Sequence, residues 1–134
     1  MQDYQQSGSF KRQRLIRVFV TLLLGWGVPQ LASAEIHEIG MKDRRFSAET
    51  MRIKVGDTVK WVNGDKEPHQ VVSGQDLEDP NLGEPMMENL ILIGEHYSFT
   101  FDKPGRYPYM CSLHWAKAIM TGKVAMSAEI IVEP

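Results

Sequence analysis

Apolar and polar residues alternate along several short stretches that follow residue 35, which is the pattern of half-buried β-strands. Residues 50–55 and 97–101 show it most clearly, since every second side chain is apolar. The pattern predicts strands at residues 36–41, 50–55, 58–63, 69–72, 97–101, 106–111 and 121–132. Turn residues such as Gly56-Asp57 and Pro104-Gly105 separate them. Short strands at this spacing predict an all-β fold, a β-sandwich with Greek-key connections.

Aromatic side chains on the inward faces of these strands predict the core. They are Trp61, Phe99, Phe101, Tyr107 and Tyr109, with Phe46 as an anchor from a charged loop. Residues 73–94 are less regular, because an acidic loop precedes a group of Met, Leu and Ile residues for which we expect a short helical turn at residues 86–90. No long helix is expected in residues 35–134.

The first 34 residues have the pattern of an export signal. A basic segment precedes an apolar run at residues 18–28, and Ala32-Ser33-Ala34 is a cleavage site of the A-x-A kind. The apolar run is shorter than the roughly 20 residues of a membrane span, although an uncleaved anchor is the alternative. We therefore predict a signal peptide at residues 1–34, cleavage after Ala34, and one domain at residues 35–134 that is periplasmic or otherwise exported and not stably inserted in a membrane.

Cleavage changes the charge of the chain. It removes four basic residues and one acidic residue from 15 Lys+Arg and 17 Asp+Glu, which leaves 11 against 16 and a net charge of −5. An acidic domain argues against a nucleic-acid partner, which requires a basic surface. It favours a soluble protein, expected to be a monomer, that meets a basic patch on its partner.

The only cysteine of the chain, Cys111, has no partner for an internal disulfide. His114 follows it by three residues, and Met120 follows six residues later. His69 lies about 40 residues earlier, at the start of another predicted strand. A thiolate, two imidazoles and a distant thioether form a donor set that tolerates both Cu(I) and Cu(II), which is the set of a blue copper site. The residue types therefore predict one type 1 copper held by His69, Cys111, His114 and Met120.

Two motifs resemble those of the cupredoxin family, the small blue copper proteins that include plastocyanin, pseudoazurin and amicyanin. The first is VGDTVKWVN at residues 55–63 with Pro68-His69. The second is FDKPGRYPYMCSLH at residues 101–114, followed by MTGKV at residues 120–124. The resemblance implies an eight-stranded Greek-key sandwich, with His69, Cys111 and His114 as equatorial ligands and Met120 as the axial ligand.

The axial position departs from the family pattern. Five residues separate His114 from Met120, which is more than in plastocyanin-like sequences. The carbonyl of Pro68 is therefore the alternative axial donor. Met110 is rejected because it points away from the face that carries Cys111.

The other histidines and the neighbouring groups have simpler interpretations. His37 and His96 are interpreted as strand and surface residues, since a lone histidine without ligand spacing is weak evidence for a site. Backbone N–H groups near Ser112 and near Asn63 or Gln70 are expected to hydrogen-bond the sulfur or to link the ligand loops.

The predicted function is one-electron transfer between redox partners rather than an enzymatic reaction. The resemblance places the partner, such as a c-type cytochrome or a copper or haem enzyme, on the patch near His114 and Trp115. Two alternatives stay open: a copper chaperone or storage protein, and a small copper enzyme with an open axial position. Zinc in the same ligands is a weaker alternative, because copper binds more tightly in the affinity order.

Overall fold

The computed structural model describes residues 33–123 and 125–134. Of the predicted signal peptide, only Ser33 and Ala34 belong to this part, and both are exposed; the rest of that prediction lies outside the described residues. The elements are β1 (Ile36–Lys42), β2 (Arg45–Phe46), β3 (Thr50–Lys54), β4 (Thr58–Asn63), β5 (His69–Ser73), β6 (Met87–Ile91), β7 (His96–Thr100), β8 (Gly105–Met110), α1 (Ser112–Thr121) and β9 (Ser127–Glu133).

The strands form two mixed sheets that face each other across one core. The first sheet has the order β2-β1-β4-β7, and the second has the order β3-β9-β8-β5-β6. The pairs β1–β4 and β3–β9 are parallel, whereas the other pairs are antiparallel. The predicted β-sandwich is therefore confirmed. The described residues contain nine strands, whereas the resemblance implied eight, and the two-residue strand β2 is one that the sequence did not predict.

The core is aromatic and follows the predicted alternation. Trp61 packs edge-on against Tyr109 at a centroid distance of 5.4 Å, and Tyr109 contacts Phe46 at 4.7 Å. These three residues and Phe101 are buried. The predicted core residues Phe99 and Tyr107 are half-buried and pack against the edge of the cluster. Clustered aromatic rings each bury a large apolar area, so this centre supplies much of the hydrophobic stabilisation.

Three local predictions were wrong. The strand expected at residues 121–132 begins only at Ser127, as β9, because α1 continues to Thr121. The expected helical turn at residues 86–90 is strand β6, whose residues pair with β5. Conversely, the ten residues after Cys111, where no helix was predicted, form α1. The segment SLHWAKAIMT contains neither Gly nor Pro, so its own propensity allows a helix. Gly122 ends α1 in the left-handed conformation, with φ 64°, which glycine adopts without steric cost.

Among residues 33–123 and 125–134, no helix combines the length and the apolarity that a membrane crossing needs.

Candidate metal centre

His69 enters the site from the first residue of β5, next to the end of β4. Its side chain is fully buried, and burial lowers its imidazole pKa from the usual range. The Nε2 atom lies 3.1 Å from Oδ2 of Asp65, whereas the buried Nδ1 atom has no hydrogen-bond partner. Because an ionised carboxylate only accepts hydrogen bonds, Nε2 bears the hydrogen and Nδ1 presents a free lone pair.

Cys111 and His114 come from the junction of β8 and α1. Cys111 has an extended backbone at the N-cap position, and its carbonyl accepts the N–H groups of His114 at 3.1 Å and Trp115 at 2.8 Å. His114 is thus one turn into the helix, on the side that carries the cap residue. Its Nδ1 atom lies 3.2 Å from the Cys111 sulfur. Tight helical geometry after a strand end is what brings the thiol and the imidazole together.

The three side chains converge at one point. One donor atom from each of His69, Cys111 and His114 lies within 4.8 Å of the others, and all three residues are buried. The two imidazole rings are 4.8 Å apart between centroids. Burial raises the pKa of the Cys111 thiol, and hydrogen bonds from backbone N–H groups oppose this increase. One of these N–H groups, that of Gln70, lies 3.3 Å from the sulfur.

This donor set fits a type 1 copper ion. The unpartnered Nδ1 atom of His69 is the kind of buried polar atom that requires a ligand, because an unsatisfied buried nitrogen is costly. One thiolate and two imidazoles are also the equatorial set of blue copper. The backbone N–H of Gln70 donates to the sulfur, and Gln70 is one of the residues predicted from the sequence for that role.

A set of hydrogen bonds fixes the loop that precedes His69. The buried Asn63 side chain donates to the carbonyl oxygens of Glu67 and Ile91, each at 2.9 Å, and accepts the N–H of Asp65 at 2.9 Å. Across the site, the Ser112 hydroxyl donates to the side-chain carbonyl of Gln70. Both ligand-bearing segments are therefore held by hydrogen bonds within the chain, which favours a preformed site.

Three charged residues near the site were missed by the sequence analysis. Glu67 Oε2 lies 3.1 Å from His114 Nε2, and the guanidinium of Arg44 binds the same carboxylate. Hydrogen bonds from Arg44 and then from His114 lower the pKa of Glu67 to about 2. For Asp65, the backbone N–H of Arg44 is the largest cause of a pKa lowered to about 2. The available signal was the spacing of these acids, two and four residues before His69.

The structure does not bring Met120 into this cluster. Met120 lies near the end of α1, and 85% of its surface is exposed. Another methionine of this segment, Met126, is buried and lines a cavity of about 70 Å³ together with His114. The backbone carbonyl of Met126 accepts the N–H of Cys111 at 3.0 Å.

The remaining histidines lie elsewhere. His37 pairs with Asp57 through Nε2 at 2.9 Å, and His96 is exposed at the start of β7. Trp115 is half-buried directly after His114. Met110, which was rejected as a ligand, is fully buried.

Comparison with known proteins identifies the cupredoxin family, which the two sequence motifs also resemble. The profile described as copper binding proteins, plastocyanin/azurin family, matches residues 34–127. Amicyanin from Paracoccus denitrificans is 34% identical over 101 residues, which cover 71% of each chain. Amicyanin from Paracoccus versutus is 34% identical over 88 residues, which cover 64% of this chain and 61% of that relative's length. The crystal structure of the latter protein superposes with a TM-score of 0.55 at 29% identity, over 80% of this chain and 86% of the other. The chain is therefore a blue copper cupredoxin of the plastocyanin/azurin family.

Proposed function

We propose that this protein is an exported electron carrier that exchanges one electron at a time with redox partner proteins through a single type 1 copper. The observation that carries the proposal is the convergence of His69, Cys111 and His114 in a buried cluster. Such a donor set suits one-electron exchange, because it accepts Cu(I) and Cu(II) with little rearrangement. The amicyanins and plastocyanins to which the chain is similar support the same role.

Each of the proposed ligands has a separate task. Cys111 supplies the thiolate, and the N–H of Gln70 stabilises charge on its sulfur. His69 and His114 present Nδ1 lone pairs while their Nε2 atoms face Asp65 and Glu67. The bound copper supplies the reversible change between Cu(I) and Cu(II). The protein's own groups keep the donor atoms in place and keep water from the buried side.

The partner side and the cellular location belong to the same proposal. Cleavage after Ala34 would release the domain at residues 35–134 into the periplasm or an equivalent compartment. The proposed contact surface lies next to His114 and Trp115, where Trp115 is half-buried and the neighbouring Leu113 is exposed. A c-type cytochrome or a copper or haem enzyme is the kind of partner expected. We infer no enzymatic turnover for this function.

A visible spectrum tests the proposal directly. Adding Cu(II) to the purified apoprotein is expected to give an intense blue absorption that saturates at one equivalent, bleaches with ascorbate and returns on oxidation. The reason is charge transfer from the single thiolate to copper, which requires the complete donor set. The variant His96→Ala removes an exposed histidine outside the cluster and should keep the full colour. A copper-loaded protein without colour would overturn the proposal.

The exposure of Met120 favours a second candidate function, that of a small copper enzyme with an open axial position. In that case the copper-loaded protein should bind azide with a change in its spectrum. An electron carrier with a complete ligand set should leave the spectrum unchanged.

The axial role of Met120 is tested by the substitution Met120→Leu. If the last turn of α1 opens so that the thioether reaches copper, its removal should raise the reduction potential, because the more highly charged Cu(II) loses a donor. Copper should stay bound through the three other residues. The matched control is Met87→Leu, which replaces another exposed methionine on β6. An unchanged potential in Met120→Leu would transfer the axial role to the carbonyl of Pro68.

A further inference from the structure

His114 carries a carboxylate partner that its proposed role as a ligand does not explain. Its Nε2 atom lies 3.1 Å from Oε2 of Glu67, on the opposite side of the ring from the Cys111 sulfur. The ring is thus held at both nitrogen atoms. Because the ionised carboxylate has no hydrogen to give, the Nε2 atom must be the donor, and the Nδ1 lone pair is left toward the sulfur.

Arg44 holds Glu67 in this position. Its guanidinium makes two hydrogen bonds to the two carboxylate oxygens of Glu67, through Nε at 3.2 Å and through Nη2. A two-pronged pair of this kind fixes the direction of a carboxylate as well as its distance. These two bonds therefore favour the orientation in which the Glu67 carboxylate faces His114.

The backbone that presents Arg44 is unusual. Asp43 and Arg44 form the turn between β1 and β2, and both have positive φ angles, of 52° and 60°. A turn of this type favours Asn, Asp or Gly, and a longer side chain such as that of Arg44 is strained there. A strained backbone conformation persists where surrounding contacts stabilise it, and here the contacts are made by two carboxylates. The Arg44 guanidinium binds Glu67, and the Arg44 backbone N–H binds Asp65 at 3.0 Å.

We propose that Glu67, oriented by Arg44, is a positioning residue for His114, which selects the Nε2–H tautomer and places a negative charge beside this imidazole. The proposal deepens the proposed function, since it assigns the regulation of the same copper site to the Arg44–Glu67 pair. A negative charge near the metal stabilises Cu(II) relative to Cu(I), so the Glu67 carboxylate, which contacts His114 directly, should lower the reduction potential, and the positive charge of Arg44 behind it should offset part of this effect. The Glu67 side chain is 42% exposed, and salt should therefore weaken the effect.

The first test uses the apoprotein and does not depend on copper. Nitrogen-15 NMR of the imidazole at alkaline pH should show His114 as the Nε2–H tautomer. The substitution Glu67→Leu removes the acceptor, and the tautomer should then become mixed. The substitution Arg44→Asn keeps a residue that tolerates positive φ and removes the guanidinium, so it should give a partial change of the same kind. In a double variant with Glu67→Leu, Arg44→Asn should add nothing further.

The second test uses the copper-loaded protein. Glu67→Gln keeps an oxygen acceptor but removes the charge, so the reduction potential should rise, and the increase should be smaller at high salt. Glu67→Leu, which removes the acceptor as well as the charge, should also weaken Cu(II) binding about tenfold. The matched control is Glu129→Gln, which breaks a two-pronged pair with Arg106 on strands β8 and β9.

The outcomes separate the two proposals. If the wild-type apoprotein shows the Nδ1–H tautomer, or if Glu67→Gln and Glu129→Gln have the same potential, the positioning role is overturned while the copper site stands. If the apoprotein shows the expected tautomer but never becomes blue, the positioning role stands and the proposed electron transfer fails.

Discussion

Replacing Cys111 by serine is expected to abolish the blue absorption completely while the sandwich stays folded. The colour requires a thiolate, and residues 33–123 and 125–134 contain no second cysteine. The fold should not require one, because the aromatic centre around Trp61 and Tyr109 supplies much of the hydrophobic stabilisation and serine is close to cysteine in size. A serine hydroxyl in the same place can also accept the N–H of Gln70, which now donates to the sulfur. We expect the loss of stability to stay within about 1–2 kcal/mol.

Two measurements check this expectation on the same samples. The blue absorption after copper addition should be absent from Cys111→Ser. Its circular dichroism should match that of the wild-type apoprotein, and its thermal unfolding should still be cooperative, at a temperature lowered by roughly 4–8 °C for each kcal/mol of lost stability. An unfolded variant would mean that the thiol is structural, and a variant that stays blue would remove Cys111 from the site. Wild-type protein loaded with Zn(II) serves as the colourless folded reference, since zinc has no redox states to exchange.

The substitution Asn63→Ala is expected to damage both the stability and the copper affinity. The Asn63 side chain is buried and makes three hydrogen bonds, two of which satisfy the carbonyl oxygens of Glu67 and Ile91. Alanine would leave these two carbonyl oxygens without a hydrogen-bond donor. We therefore expect the free energy of unfolding to fall by about 2–4 kcal/mol. The loop that carries Asp65 and Glu67 would then be free to move, and His69 follows directly after it.

Chemical denaturation of the apoprotein measures the first effect, and competition with a copper chelator measures the second. The matched control is Asn81→Ala, because Asn81 is exposed in the acidic loop and its substitution should change the stability by less than about 0.5 kcal/mol. Equal effects of the two variants would show that the Asn63 hydrogen bonds do not hold the ligand loop.

The alternation of side chains predicted most of the fold because burial in a two-layer sandwich has a period of two. Strand β4 (Thr58–Asn63) has the predicted bounds, and its residues Val59 and Trp61 are buried while Thr58 and Lys60 are half-buried. The pattern failed where a segment is short and has no clear period. Strand β6 contains Met87 and Leu90 on exposed positions of an edge strand, so its sequence does not mark an inward face.

Helix α1 was missed for a related reason. Its sequence permits a helix, but the interpretation as a ligand loop rested on the spacing between Cys111 and Met120. The helix brings His114 to Cys111 through one turn and carries Met120 to the exposed side. Sequence spacing alone does not fix a side chain's direction, since the same residues separate by different distances in a loop and in a helix.

The sequence by itself determined the period of burial, the aromatic centre of the core, the donor types for copper and the two segments from which they come. The sequence can determine these features because donor chemistry depends on residue type and the period of burial depends on the order of apolar and polar residues. Only the tertiary structure decided which atoms meet: Nδ1 of His69 left without a partner, the N–H of Gln70 on the sulfur, and Glu67 with Arg44 on His114. These contacts join segments that are more than 20 residues apart, and their geometry depends on strand pairing and turn conformation, which no local pattern contains.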